Sequence, residues 1–225
     1  MKITFYGHAS LGIEVAGKNI IVDPYISANP KAAHVDINSL NADYILITHG
    51  HGDHIIDVET IAKNTGAIIV SNAEIAEYYD AKGFTTHPMN HGGKWNFDFG
   101  TVKYVNAIHS SSFPDGTYAG NPGGFVIESQ HKNIYIAGDT ALTMDMKLIP
   151  MRTKLDLAIL PIGDNFTMDV EDAIIASDFL DCDKVLGYHY DTFGYIEIDH
   201  AESIRKFFSK GKDLMLLEIG DSIEL

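Results

Sequence analysis

The sequence predicts an α/β (α+β) fold in which two β-sheets pack face to face, with helices on their outer sides. Short apolar or alternating segments dominate the first part of the chain, and strands then alternate with helical segments. This order of elements is typical of packed sheets that are flanked by helices. Because 45% of the 225 residues are hydrophobic and no linker, repeat or low-complexity segment divides them, we expect a single domain over residues 1–225.

The first half of the chain is predicted to consist mainly of strands. Alternating or fully apolar segments predict strands over residues 1–6, 12–15, 19–22, 44–48 and 68–70. The segment Ala16-Gly17-Lys18 is typical of a hairpin turn between the second and third of these strands. Helical spacing of apolar residues predicts a helix over residues 55–64. Another helix is predicted up to residue 81, with Asn72 as its N-cap and Gly83 just past its end.

In the second half of the chain, strands and helices alternate. The predicted strands cover residues 102–107, 124–128, 133–137, 155–160, 184–188 and 214–218. The predicted helices cover residues 143–150, 170–180 and 200–210.

The composition excludes several kinds of partner. Lys and Arg number 16 against 31 Asp and Glu, a net charge of -15, which argues against a nucleic-acid partner bound through its phosphates. No apolar segment approaches the roughly 20 residues that a transmembrane helix needs, so we expect no membrane partner. The N-terminus reads as a strand rather than a signal peptide, which predicts a cytoplasmic protein. The alternative is a secreted protein whose signal peptide has been removed.

Histidine and carboxylate side chains carry the strongest chemical signal. The single cysteine, Cys182, excludes an intrachain disulfide and a Cys-rich zinc site, whereas the chain has 11 histidines. The segment Thr48-His49-Gly50-His51-Gly52-Asp53-His54 follows an apolar strand and leads into a helix. His49 and His51 can project to the same side of an extended backbone, and the glycines give the loop conformational freedom. Asp53 and His54 should point elsewhere, which suits a second ion, and zinc prefers such nitrogen and oxygen ligands.

One loop cannot complete two metal sites, so further ligands are expected from later in the chain. His109, Asp139 and His189 each follow the end of a predicted strand. The carboxyl ends of strands are where α/β folds usually place their ligands. These three residues are therefore the candidates that would complete the sites.

The order of these motifs resembles the successive metal motifs of the metallo-β-lactamase superfamily, and Asp23 in Ile20-Ile21-Val22-Asp23-Pro24 resembles its first motif. The chain also resembles the small stand-alone, largely uncharacterised metal-dependent hydrolases related to the ascorbate-6-phosphate lactonase branch. This narrower resemblance rests on Gly7-His8-Ala9-Ser10, Pro88-Met89-Asn90-His91-Gly92-Gly93, His109-Ser110-Ser111, Leu160-Pro161-Ile162-Gly163, Phe166-Thr167-Met168 and His189-Tyr190-Asp191-Thr192-Phe193.

The resemblance implies a four-layer αββα sandwich of two mixed β-sheets and a dinuclear metal site. By the resemblance, the first ion would be held by His49, His51 and His109. The second ion would be held by Asp53, His54 and His189. Asp139 would bridge the two ions, since a carboxylate offers two oxygens. We expect zinc, with manganese and iron as alternatives.

The implied activity is hydrolysis of a small ester or lactone by a metal-bound hydroxide, with Asp53 and Asp139 as the catalytic residues. Asp53 would orient the nucleophile or pass its proton to the leaving group. A phosphodiesterase acting on a small phosphoester and a non-enzymatic, metal-dependent metabolite sensor are the alternatives. The expected partner is a small-molecule substrate, and a homo-oligomer is compatible with the sequence.

Several residues beside the motifs are candidates for contact with the substrate or with the metal ligands. For His8, the alternatives are an acid at the metal site and a hydrogen bond that fixes the His loop. The full set is His8, Asp23, Asn90, His91, Ser110 and Thr192. The remaining histidines, His34, His87, His131 and His200, lack a motif and are predicted to lie at the surface, and Cys182 is predicted to be a partly buried thiol.

Overall fold

The computed structural model describes residues 1–225, which form 14 strands and five α-helices. The strands of the first half are β1 (Lys2–Gly7), β2 (Ser10–Val15), β3 (Lys18–Val22), β4 (Tyr44–Leu46), β5 (Ile68–Asn72), β6 (Thr86–Met89), β7 (Lys94–Phe97) and β8 (Gly100–Asn106). The later strands are β9 (Gly123–Ser129), β10 (Lys132–Ile136), β11 (Leu157–Pro161), β12 (Lys184–Tyr188), β13 (Asp213–Met215) and β14 (Ser222–Glu224). The helices are α1 (Gly52–Ile55), α2 (Val58–Thr65), α3 (Ala73–Asp80), α4 (Val170–Phe179) and α5 (His200–Ser209).

The strands form two mixed sheets of seven strands each. The first sheet has the order β14-β1-β2-β3-β4-β5-β6, and the second has the order β13-β12-β11-β10-β9-β8-β7. The first sheet is antiparallel from β14 to β3 and parallel from β3 to β6. The second sheet is parallel from β13 to β10 and antiparallel from β10 to β7. The two mixed sheets that the resemblance implied are thereby confirmed.

Three groups of buried apolar residues define the layers. A cluster of 23 buried residues, including Phe5, Leu46 and Ile136, joins side chains of both sheets and fills the space between them. A cluster of 14 packs α2 and α3 on the first sheet, and a cluster of 19 packs α4 and α5 on the second. The layers therefore run helix, sheet, sheet, helix, as predicted. No helix is long and apolar enough to pass through a membrane.

The same hydrogen bond between an Asn backbone N–H and an Asp carboxylate occurs in both sheets, although no repeat was predicted from the sequence. In the first sheet, the backbone N–H of Asn19 donates to Asp43 over 2.8 Å where β3 and β4 begin. In the second sheet, the backbone N–H of Asn133 donates to Asp156 over 2.8 Å where β10 and β11 begin. Each hydrogen bond fixes the start of a strand that ends next to a carboxylate of the candidate site. These strands are β3, which leads to Asp23, and β10, which leads to Asp139.

Local sequence signals are confirmed at the turns and caps. β2 and β3 are joined by a two-residue turn in which Ala16 and Gly17 both have positive φ, the backbone of a type I′ hairpin. Asn72 accepts the backbone N–H of Ile75 and caps α3. Asp169 and Asp199 cap α4 and α5 in the same way.

Two predicted helices differ from the observed structure. The helix over residues 55–64 is interrupted because the Asp57 carboxylate accepts the backbone N–H groups of Ile26 and Ser27, and α2 begins only at Val58. The helix over residues 143–150 is instead a 3-10 helix over Met144–Leu148. Its buried residue Met146 and its buried C-cap residue Ile149 are three positions apart, which is the period of a 3-10 helix.

Three short edge strands were not predicted from the sequence, and one predicted strand extends too far. β7 is only four residues long and mostly exposed, and β6 and β14 are only four and three residues long. The strand predicted over residues 214–218 ends at Met215, after which the chain crosses to the first sheet. There β14 pairs with β1, a contact between the two ends of the chain that no local pattern encodes.

Candidate metal centre

The seven predicted metal ligands and His8, a predicted neighbour of the site, meet at one edge of the two sheets. The His loop follows β4, and the other residues follow the ends of β1, β8, β10 and β12. The residues that converge are His8, His49, His51, Asp53, His54, His109, Asp139 and His189. Because these residues follow strands of both sheets, the site lies at the edge of the sandwich, between the two sheets.

The first cluster consists of His49, His51 and His109, with one donor atom of each within 4.8 Å of the others. Nε2 of His49 lies 3.0 Å from Nδ1 of His51. His49 is fully buried, whereas His51 and His109 are partly exposed. Three imidazole nitrogens therefore face one point that a substrate can approach.

The second cluster consists of His8, Asp53, His54 and His189, again within 4.8 Å. Asp53 Oδ2 lies 3.9 Å from Nε2 of both His54 and His189 and 3.0 Å from Nε2 of His8. The three histidines are buried, and the Asp53 side chain retains 30% of its exposure. Asp53 is thus the member of this cluster that remains open to solvent.

The carboxylate of Asp139 lies between the two clusters. Its Oδ2 is 4.0 Å from Nε2 of His49 and 3.6 Å from Nε2 of His109, both in the first cluster. The same oxygen is 3.4 Å from Nε2 of His54 and 3.0 Å from Nε2 of His189, both in the second cluster. A single buried carboxylate therefore approaches histidines of both clusters.

The unpaired atoms of this site fit bound cations. Nε2 of His54, Nε2 of His189 and Oδ1 of Asp139 are buried without a hydrogen-bond partner. Unpaired buried polar atoms are costly, and a cation between them would remove that cost. Two donors of a tetrahedral zinc ion lie about 3.3 Å apart when each is about 2.0 Å from the ion. The separations of 3.0 Å in the first cluster and 3.4 Å between His54 and Asp139 are close to that value.

Asp23 and Thr48 determine which nitrogens of His49 and His54 are free to bind a cation. A carboxylate can only accept, so Nδ1–H of His54 donates to Asp23 over 2.9 Å. The Thr48 hydroxyl donates to the same Asp23 oxygen over 2.6 Å, so it accepts from Nδ1–H of His49 at 3.0 Å. Both imidazoles are thereby held with a lone pair on Nε2, the atom that faces the cluster.

His8 is held between the two sheets. Its Nε2–H donates to Asp53 Oδ2 over 3.0 Å, and its Nδ1 lies 3.0 Å from Oγ1 of Thr192. The rings of Tyr25 and Phe193 pack against its imidazole at centroid distances of 5.4 and 5.3 Å. Of the two roles considered for His8, this geometry favours the hydrogen bond that orients the His loop.

Burial controls the charge of most of the imidazoles. Burial lowers the pKa of His8 to about 4, with a further contribution from His189. Burial also lowers the pKa of His49 well below its ordinary value, and that of His51 and His109 as well. Neutral imidazoles have a free lone pair, so these residues are prepared to bind a cation.

The carboxylates favour positive charge in the second cluster. Burial alone lowers the pKa of His54, but Asp139 and Asp23 outweigh it and raise this pKa well above its ordinary value. Burial alone raises the pKa of Asp139, but His189 and His54 outweigh it and hold the pKa well below its usual range. The pocket is therefore built around anionic oxygens, which a divalent cation would neutralise.

Of the remaining candidates, Ser110 contacts the site and His91 does not. Ser110 reaches the site, with its Oγ 3.3 Å from Nε2 of His51. His91 does not reach it, because its Nε2 bonds the carbonyl of Pro122 at 2.9 Å, and Asn90 bonds the backbone N–H of His91. His91 lines a separate groove on the outer face of the second sheet. Cys182 is buried, away from both clusters.

The role expected for the loop glycines was wrong. Neither Gly50 nor Gly52 has a positive φ. At Gly50 the requirement is space, since an added Cβ would lie 2.3 Å from Cβ of Ala119. The close approach lets the backbone N–H of Gly50 donate to Ser111 Oγ over 3.2 Å.

Two polar residues that form hydrogen bonds to the His loop, Thr48 and Ser111, were not predicted from the sequence. The signal for Thr48 was a polar residue at the end of an otherwise apolar strand, immediately before His49.

The fold and site define a class of protein. A family model described as the beta-lactamase superfamily domain matches residues 18–190 of this chain. Igni18, a metallo hydrolase from the hyperthermophilic archaeon Ignicoccus hospitalis, is similar in structure, with a TM-score of 0.90, 34% identity and coverage of 100% of this chain and 98% of that chain. An isothiocyanate hydrolase from Delia radicum gut bacteria shares the fold, with a TM-score of 0.80, 22% identity and coverage of 100% and 99%. The chain is a member of the metallo-β-lactamase superfamily.

Sequence relatives narrow the assignment. A UPF0173 metal-dependent hydrolase from Flavobacterium johnsoniae is 81% identical over 225 residues, and one from Methylacidiphilum infernorum is 47% identical over 226 residues. Both alignments cover 100% of each chain. The chain therefore belongs to the UPF0173 family of metal-dependent hydrolases, and the superfamily and the enzyme class predicted from sequence are confirmed. The relation to the ascorbate-6-phosphate lactonase branch stays a prediction.

Proposed function

We propose that this hydrolase holds two divalent metal ions, zinc by preference, and cleaves a small ester or lactone. The observation that carries the proposal is the position of the Asp139 carboxylate within 4.0 Å of histidines from both clusters. The shared core between the sheets supports a single catalytic domain over residues 1–225.

The proposed ligands follow the two clusters. His49, His51 and His109 would hold one ion, and Asp53, His54 and His189 would hold the other. Asp139 would be shared by the two ions, because its carboxylate has two oxygens whereas a neutral imidazole has one free nitrogen.

The ions and the polypeptide have different tasks. When bound, two such ions lower the pKa of a coordinated water to about 7 and polarise the oxygen of the bond under attack. The polypeptide fixes the imidazoles: Asp23 and Thr48 hold the Nδ1–H groups of His54 and His49. Oγ of Ser110 lies 3.3 Å from Nε2 of His51, so Nδ1 is the nitrogen of that ring that faces Nε2 of His49.

Asp53 is the residue that moves the proton. Its side chain is the exposed part of the second cluster, so a substrate can reach it. Its carboxylate takes the proton that water loses on attacking the ester carbonyl and returns it to the leaving alkoxide. Burial alone raises the pKa of Asp53, but the hydrogen bond from His8 and the charge of His54 hold it below its usual range. His8 keeps the carboxylate in place during this transfer.

The surroundings of the site favour a carbonyl substrate over a phosphoester. No Lys or Arg forms a hydrogen bond or ion pair with any member of the two clusters. Lys94, the cation nearest to a motif in the sequence, lines the separate groove with His91. A phosphate tail would therefore lack a basic clamp. The charge of -15 likewise supports a small-molecule substrate rather than nucleic acid.

The test combines metal analysis with a substrate panel. Elemental analysis of gently purified protein should give two transition-metal ions per chain, and it distinguishes zinc from manganese or iron. The kcat/KM values for simple lactones and aryl esters are then compared with those for aryl phosphodiesters, with chelation as the control. A tenfold preference for phosphodiesters, about 1.4 kcal/mol, would reverse the assignment of the bond. Metal binding without turnover of any substrate would favour the metabolite sensor.

A further inference from the structure

A groove of about 840 Å³ lies on the outer face of the second sheet, separate from both metal clusters. Its floor is formed by the antiparallel strands β8, β9 and β10, and its wall by the 3-10 helix over Met144–Leu148 and the residues that follow it. No member of the two clusters lines it. The hydrolase function therefore leaves this groove unexplained.

Three cations line this groove in a strongly acidic protein. Lys94 and Lys103 are directly paired across β7 and β8, and Arg152 lies on the opposite wall. None of the three forms an ion pair, whereas several other lysines do, such as Lys18 and Lys212. Acidic residues outnumber basic ones by 31 to 16 in the chain, whereas this groove is lined by three cations and only two carboxylates, Glu128 and Asp145. This local excess of positive charge favours an anionic occupant.

Two carboxylates of the groove are already engaged. Glu128 accepts the hydroxyl of Thr153, and Asp145 accepts the side-chain amide of Asn106 over 2.7 Å. Neither carboxylate contacts one of the three cations, so the cations remain free to bind a ligand.

The floor between the cations is apolar. Val126 and Tyr135, neighbours across β9 and β10, are buried there with Met146 and Ile149. Because these four side chains have almost no exposed surface, a ligand would instead contact the half-buried Val105 and the exposed Leu148.

We propose that this groove binds a small amphipathic organic anion, independently of hydrolysis at the metal centre. Its carboxylate, phosphate or sulfonate group pairs with Lys94, Lys103 and Arg152. Its alkyl or aryl body packs on Val105 and Leu148.

The probe for this site is 8-anilinonaphthalene-1-sulfonate, an aromatic anion whose fluorescence rises when it is bound in an apolar site. We expect saturable binding of one molecule per folded chain. Lys103→Glu and Arg152→Glu should each raise the Kd by about tenfold, because each places a negative charge beside the sulfonate. Leu148→Ser should also weaken binding of the probe, because it removes exposed apolar surface from the wall of the groove.

Competition defines the ligand class. Octanoate and octyl phosphate should each displace the probe, and their relative affinity distinguishes a carboxylate from a phosphate head group. Octylamine has the same apolar chain with a positive charge, and acetate has the charge without the chain, so neither should compete.

Matched variants control for unfolding and for non-specific charge effects. Lys210→Glu removes an exposed, unpaired lysine outside the groove, and Phe208→Ser removes an exposed apolar side chain that does not line it. Both should bind the probe as the wild type does, and circular dichroism should show that all variants are folded. Equal loss of binding in Lys210→Glu and Lys103→Glu, or displacement by octylamine, would overturn the proposal. The proposal would also be overturned if the probe were excluded from the groove only in a dimer, because a second copy of the chain would then be the occupant of the groove.

Discussion

Oδ2 of Asp23 lies 2.9 Å from Nδ1 of His54, and both side chains are completely buried. The same oxygen accepts the Thr48 hydroxyl, which in turn accepts Nδ1–H of His49. Because His49 and His54 belong to different clusters, one carboxylate orients an imidazole in each.

Replacing Asp23 should therefore weaken both metal sites together. Asp23→Asn keeps the volume but lets the amide NH₂ face Nδ1 of His54, which disturbs the tautomer. We expect metal affinity to fall about tenfold or more, as for other residues that support metal ligands. Chelator competition measures the affinity, and Cys182→Ser should leave it unchanged. Loss of only one of two ions would show that Asp23 supports a single site.

Replacing His8 should test its role in positioning Asp53. His8→Phe preserves the ring that packs on Tyr25 and Phe193 but removes the hydrogen bond to Asp53. Because Asp53 is also a proposed ligand, metal affinity should fall about tenfold, and kcat of the fully metal-loaded variant should fall about tenfold. The measurements are metal affinity and steady-state kinetics on the same preparation. Unchanged metal affinity and unchanged kcat would contradict this role.

Gly50→Ala should displace the His loop, because its Cβ would lie 2.3 Å from that of Ala119. We expect lower metal affinity and a loss of about 1–3 kcal/mol in the free energy of unfolding, as for overpacked cores. The compensating change is Ala119→Gly, which removes the contacting methyl group. The double variant should recover most of the metal affinity in titrations, and failure to recover would mean that Gly50 acts through its backbone alone.

Chelation should lower the thermal stability of the protein. Ions that bind only the folded chain stabilise it, and at about a thousandfold over Kd they add about 4 kcal/mol, or about 10 °C in Tm at this size. Calorimetry with and without EDTA measures the shift. Asp139→Ala should lose most of the response. His34→Ala alters an exposed histidine far from the site and should retain it.

Asp57→Ala should destabilise the fold without altering the clusters directly. The buried Asp57 carboxylate accepts the backbone N–H groups of Ile26 and Ser27 at 2.6 and 2.9 Å. Removing it leaves both donors unpaired, which should cost about 2–4 kcal/mol in denaturant unfolding. Asp36→Ala is the control, since Asp36 is exposed and accepts only local donors of its own turn, from Asn38. Its loss should cost less than about 1 kcal/mol.

Local patterns in the sequence predicted most of the central strands and the helix caps. Alternating and apolar segments identified β1 to β5 and β8 to β12, because burial on one or both faces of a sheet restricts residue type directly. Asn72 was found as a cap for the same reason, since its hydrogen bond reaches only to Ile75. The edge strands β6, β7 and β14 were missed because they are only three or four residues long and bury little surface, so an alternating pattern has too few positions to stand out.

The sequence by itself determined the candidate chemistry of the centre: four candidate metal-binding side chains in the segment from His49 to His54, and three more after strand ends. Only the tertiary structure decided how they are used. In the folded chain, Asp23 contacts His54 and His8 contacts Asp53 across separations of 31 and 45 residues, whereas His91 lies outside the site. The fold also assembled Lys94, Lys103 and Arg152 in one groove. Spacing and composition specify residue types over a few positions, whereas these contacts depend on which strands pair and which faces pack, and those are fixed only when the whole chain folds.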